Sequence, residues 1–244
     1  MDFPVVKMSM LQGLPEEELY RIDDPGVTYL IGCGFADAAE ILKRVRRSVA
    51  SAHPKLRAEL DFFLAPYSDG HPDTVAEVKS KGMNLGGSAW RVPEPDGRGC
   101  VYVWGRNPAD FSYYTLGLNL IEHELAHLAG HDGSVPWGLR GRWHRARKAD
   151  LAVQEKLAVI TPYRQITKVQ GARRQFLSDQ PWLNQMVLSQ PTPAKRLAED
   201  WADSVTYYLD NLRKGYIWKR GDQVLDFAER YPNRSEIIRE WLAS

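Results

Sequence analysis

One short segment, residues 121–128 with the sequence Ile-Glu-His-Glu-Leu-Ala-His-Leu, constrains this chain more than any other. In a helix, His123 and His127 lie four residues apart, on one face and one turn from each other. Apolar side chains fall on the other side of that helix, namely Tyr114, Leu118, Ile121, Leu125 and Leu128. The pattern predicts a helix that begins near residues 107–110, ends at Gly130, and has one apolar face and one histidine face.

The histidine spacing favours a metal site. Two imidazoles one helical turn apart can both reach one tetrahedral zinc ion. Glu124 lies beside them without being a ligand, where it can accept a proton from a water molecule at the metal. The segment therefore predicts zinc bound by His123 and His127, with Glu124 as general base of a hydrolase, in the first place a peptidase.

A catalytic zinc usually has a third protein ligand, for which Glu199 is the best candidate. Thr192-Pro193 is a helix start and Gly215 a helix stop, so a second long helix is expected between them. Its predicted core stripe consists of Leu197, Trp201, Val205, Tyr208 and Leu212. Glu199, Asp203 and Tyr207 share another face, where Glu199 can bind zinc and Asp203 can accept the Nδ1 proton of His123.

Two histidines are alternative third ligands. His131 continues the spacing of four, but eight residues of straight helix span about 12 Å, too far for one ion with bonds of about 2 Å. A sharp turn at Gly130 would be needed to bring His131 back. His144 is the other alternative, as a ligand distant in sequence.

The two motifs together resemble the gluzincin group of zinc metallopeptidases, in particular members related to the anthrax lethal factor catalytic domain. The resemblance rests on His123-Glu124-x-x-His127 and on residues 199–203, Glu-Asp-Trp-Ala-Asp, and covers roughly residues 100–244. It implies a mixed α+β zincin-like fold, zinc held by His123, His127 and Glu199, and Glu124 as general base.

The chain departs from that pattern in several places. Trp201 and Asp203 stand where Phe and Glu are usual, and the interval between His127 and Glu199 is long. Thr192 stands where such enzymes tend to have an oxyanion-stabilising tyrosine about seven residues before the glutamate. We assign that catalytic role to Tyr207, with Tyr163 and His144 as alternatives.

The rest of the chain predicts a mostly helical α+β domain with a small sheet. Residues 1–26 are expected to be irregular because of their prolines and glycines, and residues 27–31 to form a strand. Helices are expected at 35–51, with a stripe of Ala38, Ile41, Leu42, Val45 and Val49, and at 54–64, 72–81, 137–160 and 169–177. Residues 224–244 are expected to form helical pieces on either side of residues 231–234.

A hairpin is predicted just before the histidine helix. Residues 88–92 and 100–104 are β-rich, and Pro95-Asp96-Gly97 between them is a turn signal. The strand at residues 101–104 would line the cleft and pair with an extended substrate, or else be an internal hairpin strand. We expect one domain over residues 1–244, with an N-terminal α/β part at 1–95 and both motif helices within 96–244.

Composition sets the expected partners and location. The net charge is +1, so no global field recruits nucleic acid or an anionic membrane, and the expected partner is a protein or peptide substrate. Two cysteines make no disulfide framework, and no apolar run approaches a membrane span. Without a recognisable signal peptide, a cytoplasmic location is expected.

Two other functions fit the same residues. One is a non-catalytic zincin-like protein that binds a partner through the basic residues 140–148. The other is a SprT-like, DNA-associated zinc protease with a histidine as third ligand, which salt-sensitive DNA binding would favour.

Overall fold

A computed structural model of the chain confirms a mixed α+β fold. It describes residues 3–8, 16–33, 37–57, 60–66, 85–91, 98–105, 118–130, 135–160, 193–215, 218–220 and 223–244. These form two compact units, Met1–Leu128 and Ala129–Ser244. Among the described residues, none of the helices combines the length and the hydropathy of a membrane-spanning segment.

A six-stranded sheet forms the centre of the first unit. Its strands are β1 (Val5–Met8), β2 (Glu17–Asp24), β3 (Val27–Gly32), β4 (Leu60–Pro66), β5 (Leu85–Arg91) and β6 (Gly99–Gly105). They are ordered β1-β2-β3-β4-β6-β5. The inner strands β3, β4 and β6 are parallel, whereas β1, β2 and β5 run antiparallel to their neighbours. All six residues of β3 are buried, which is typical of a strand covered on both faces.

The sequence predicted an irregular N-terminal region, and this prediction is wrong because β1 and β2 lie within it. Prolines and glycines among the described residues of this region instead lie at the ends of strands. Pro25 and Gly26 form the turn between β2 and β3, where Gly26 has a φ of 79° that a side chain would disfavour. The predicted strand at residues 27–31 is confirmed as β3.

Helix α1 (Ala38–Ser51) confirms its predicted stripe. Ala38, Ile41, Leu42, Val45 and Val49 are all buried. These side chains recur every three or four residues, so they share the face of α1 that packs against β3.

The helix predicted at 54–64 is wrong. Only Pro54–Leu56 forms a single 3₁₀ turn, and Leu60 onwards is strand β4, paired in parallel with β3 and β6. The run Leu-Asp-Phe-Phe-Leu is short and apolar, and such a run fits a buried strand as well as a helix when only periodicity is considered. The helix predicted at 72–81 lies outside the described residues.

The hairpin before the histidine helix is confirmed, and of the two alternatives for residues 101–104 the internal hairpin strand is the one that the structure shows. Strands β5 and β6 pair antiparallel, with Trp90 opposite Cys100. Strand β6, which contains residues 101–104, also pairs with β4 and is therefore internal. Strand β5 is one edge of the sheet and β1 is the other, and the only strand partner of β5 among the described residues is β6.

The histidine helix is α2 (Leu118–Leu128), and its predicted start at 107–110 lies outside the described residues. Ile121, Leu125 and Leu128 are buried as expected. Helix α2 packs against β5, β6, α1 and the 3₁₀ turn. The face of α2 opposite the histidines is apolar because it is the face that packs against these elements.

The second unit contains α3 (Arg140–Ile160), α4 (Pro193–Lys214), α5 (Phe227–Arg230) and α6 (Pro232–Ala243), with a small hairpin of β7 (Trp218–Arg220) and β8 (Gln223–Leu225). The long helix predicted after Thr192 is confirmed with both ends. Gly215 stops it with a φ of 77°, and its N–H donates to the Asn211 carbonyl at 2.7 Å. The tail is helical on both sides of Tyr231, and the helix predicted at 169–177 lies outside the described residues.

One member of the predicted α4 stripe is wrong. Trp201, Val205 and Tyr208 are buried and Leu197 is half-buried, but Leu212 is 61% exposed and Leu209 is buried in its place. Residues 200–206 and 208–210 are all buried, so α4 is covered on most sides in this stretch and one stripe does not define its core.

This difference between neighbouring leucines can be tested. Leu209→Ala should lower the free energy of unfolding by about 2–5 kcal/mol, because it leaves a cavity. Leu212→Ala should change it by less than about 0.5 kcal/mol. Urea unfolding followed by circular dichroism measures both, and equal losses from the two variants would contradict the burial assigned here.

Candidate metal centre

The two histidines of α2 point at a common position. The Nε2 atoms of His123 and His127 are 3.2 Å apart, and their rings meet edge to face with centroids 4.8 Å apart. Two nitrogens bonded to one tetrahedral zinc at about 2.0–2.1 Å would be about 3.3 Å apart. The helix alone therefore sets the spacing that two zinc ligands require.

Glu199 of α4 completes a group of three donors. One ligand atom from each of His123, His127 and Glu199 lies within 4.8 Å of the others. His127 is buried and Glu199 is partly buried. Two imidazole nitrogens and a carboxylate oxygen are a donor set that suits zinc, and three protein ligands leave a coordination position open. This group can hold a metal ion.

Glu124 is buried next to His123, with 4% of its surface exposed. A helix places consecutive residues about 100° apart, so Glu124 leaves α2 in a different direction from the two histidines. A carboxylate shielded from water in this way is suited to hold a proton in transit.

A second buried glutamate, Glu122, was not predicted. Glu122 is fully buried and accepts the backbone N–H of His53 at 3.3 Å. His53 precedes the 3₁₀ turn, and its Nδ1 accepts the N–H of Lys55 at 3.2 Å. The hydrogen bond from His53 thus attaches α2 to the segment that follows α1. The sequence carries one signal for this role, because Glu122 lies four residues after Leu118 and three before Leu125, on the apolar side of the helix.

Asp203 and Tyr207 lie one and two turns after Glu199 on α4, and Asp203 is buried. Burial is the main cause that raises the pKa of Tyr207, and the negative charge of Asp203 raises it further, followed by smaller effects of Tyr231 and Asp210. The phenol therefore stays protonated at neutral pH and keeps its O–H donor. A hydrogen bond from His123 to Asp203 and an oxyanion contact from Tyr207 stay predictions.

The structure does not bring His144 into the group. His144 is exposed on α3, among the basic residues of that helix. His131, the other histidine alternative, and Tyr163, the alternative oxyanion donor, lie outside the described residues. Among the described residues, Glu199 is therefore the third donor that accompanies the two histidines.

Comparisons with models of known protein families, with curated proteins and with solved structures found no match to this chain.

The glutamate and histidine alternatives predict opposite results for metal content. Purified wild-type protein should contain zinc, Glu199→Ala should lose most of it, and His144→Ala should keep it. Mass spectrometry on native protein, after reconstitution and removal of loose metal, measures all three. Zinc retained by Glu199→Ala but lost by His144→Ala would overturn the assignment of Glu199.

Proposed function

We propose that this protein is a zinc-dependent peptidase with the ligand set of the gluzincins. The observation that carries the proposal is the convergence of His123, His127 and Glu199 within 4.8 Å, with Glu124 buried beside the first histidine. His123, His127 and Glu199 would hold the metal. Bound zinc would lower the pKa of a water molecule towards neutrality and polarise the scissile carbonyl.

The protein side of the reaction depends on Glu124. Its carboxylate accepts the proton of the attacking water while the new C–O bond forms at the peptide carbonyl carbon. It then gives that proton to the leaving amine as the C–N bond breaks. Tyr207, which is protonated at neutral pH, would donate its O–H to the developing oxyanion. Asp203 would accept the Nδ1 proton of His123 and fix the orientation of that ring.

The sheet edge supports a peptide as the substrate. Of the two edge strands, β5 is the one closer in sequence to the histidine helix α2, and α2 packs against it. The outward N–H and C=O groups of an edge strand can pair with an extended chain, which gives affinity without a demand for one sequence. We therefore place the substrate along β5 and not along the internal strand β6.

Neither alternative function gains comparable support. A DNA-associated protease with a histidine ligand would need His131 or His144, and His144 is exposed and outside the donor group. A non-catalytic zincin-like protein would have no need for the buried carboxylate of Glu124 beside an open metal position.

The proposal predicts a variant that keeps the metal and loses the reaction. Glu124→Gln should bind zinc as wild type does, while hydrolysis of a quenched-fluorescent peptide library falls by about 10²- to 10⁴-fold, because the amide cannot accept the proton. Glu236→Gln, the same change at an exposed position of α6, is the matched control and should have wild-type activity.

Zinc content and peptide hydrolysis should be measured on the same preparations. Full activity in zinc-loaded Glu124→Gln would overturn the role of Glu124. Zinc-loaded wild type that cleaves no member of a broad peptide library and no denatured protein would overturn the proposed peptidase activity while leaving the metal centre intact.

A further inference from the structure

Asp200, the residue directly after the proposed ligand Glu199, is buried with both of its carboxylate oxygens occupied. Its Oδ2 accepts the indole N–H of Trp143 at 2.9 Å and lies 3.0 Å from the Nε of Arg147. Its Oδ1 accepts an Nη2–H of Arg234 at 2.9 Å. Trp143 and Arg147 belong to α3 and Arg234 to α6, so one side chain of α4 is held from two other helices.

Aromatic packing holds the same turn of α4. Trp201 is fully buried and meets Trp143 of α3 edge to face at 4.9 Å between ring centroids. On another side it meets Trp241 of α6 at 5.1 Å. Consecutive residues of α4 thus contact the same two helices, one through a carboxylate and the other through an indole.

The charges around Asp200 are balanced within the unit. Arg234 is buried, lies over the ring of Tyr231 at 4.9 Å, and has its Nε 3.9 Å from Asp150. Asp150 is fully buried and accepts the backbone N–H groups of Asn233 and Arg234, at 2.9 and 3.1 Å, at the start of α6. Charged hydrogen bonds of this kind, shielded from water, are strong and directional.

A side-chain contact to neighbouring helices opposes rotation of the helix that bears it. A rotation of about 20° would move a side-chain tip about 5 Å from the axis by about 1.7 Å. Metal and catalytic groups need to be held within about 0.5 Å of their working positions. A helix bearing a ligand at residue 199 therefore needs a rotational restraint close to that residue, and Asp200 is adjacent.

We propose that Asp200 is a positioning residue for the metal ligand Glu199. Its hydrogen bonds from Trp143 and Arg234 and its ion pair with Arg147 set the rotation of α4 and hence the direction in which Glu199 leaves the helix. This inference rests on the proposed metal centre, though not on peptidase activity. It assigns Asp200 no contact with metal or substrate.

The test compares two variants that each remove a contact of Asp200 with a third that removes a carboxylate elsewhere in the unit. Asp200→Asn removes the charge held by both arginines. Trp143→Phe removes only the indole donor and keeps an aromatic ring against Trp201. Asp226→Ala is the control, because Asp226 caps α5 and its partners, Asn211 and the backbone N–H of Glu229, differ from the partners of Asp200.

Zinc affinity is measured by competition with a chromophoric chelator, at a temperature where circular dichroism shows each variant folded. Cobalt(II) is then substituted, since its visible absorption reports coordination geometry. Asp200→Asn and Trp143→Phe should bind zinc about 10- to 100-fold more weakly, the range for residues that orient metal ligands, and should show an altered cobalt spectrum. Asp226→Ala should lower the unfolding temperature, because it removes a helix cap, but keep wild-type affinity and spectrum.

Wild-type affinity and spectrum in both Asp200→Asn and Trp143→Phe would overturn the inference and leave the metal centre standing. So would equal weakening in all three variants in proportion to their loss of stability. If Asp200→Asn does not fold, Trp143→Phe decides. A wild-type protein that binds neither zinc nor cobalt would overturn the metal centre and this inference together.

Discussion

The spacing of two histidines on one helix is the constraint on which the candidate metal centre depends. The 3.2 Å between their Nε2 atoms exists only while α2 is helical at both residues. An isolated helix of eleven residues is marginal in water, so its stability comes from the apolar face that Ile121, Leu125 and Leu128 bury against neighbouring elements. The metal-binding face thus depends on the packing of the opposite face.

Buried carboxylates next to the proposed ligands share a structural role. Glu122 precedes His123 and accepts a backbone N–H from the segment after α1, while Asp200 follows Glu199 and is held from α3 and α6. A buried carboxylate is costly unless it is fully paired, so each fixes its helix in one arrangement and disfavours others. In each unit, a buried carboxylate with polar contacts lies directly beside a proposed metal ligand.

Features set by local periodicity were predictable from the sequence, and features set by long-range pairing were not. The stripe of α1 and both ends of α4 follow from helical spacing and end signals, and the grouping of His123, His127 and Glu199 follows from the two motifs. Long-range strand pairing makes Leu60–Pro66 a strand and places β6 inside the sheet. Residues close in sequence do not encode that pairing. The prediction for Leu212 was wrong because most sides of α4 are covered. Glu122 and Asp200 were missed because a charged residue, considered alone, is expected to be exposed to solvent.

The most direct test of the central claim is a crystal structure of the zinc-loaded protein with anomalous data collected at the zinc absorption edge. We expect an anomalous peak about 2.0–2.2 Å from the Nε2 atoms of His123 and His127 and from a carboxylate oxygen of Glu199, with a further position open to solvent. A peak ligated by a third histidine in place of Glu199, or zinc bound away from α2 altogether, would contradict it.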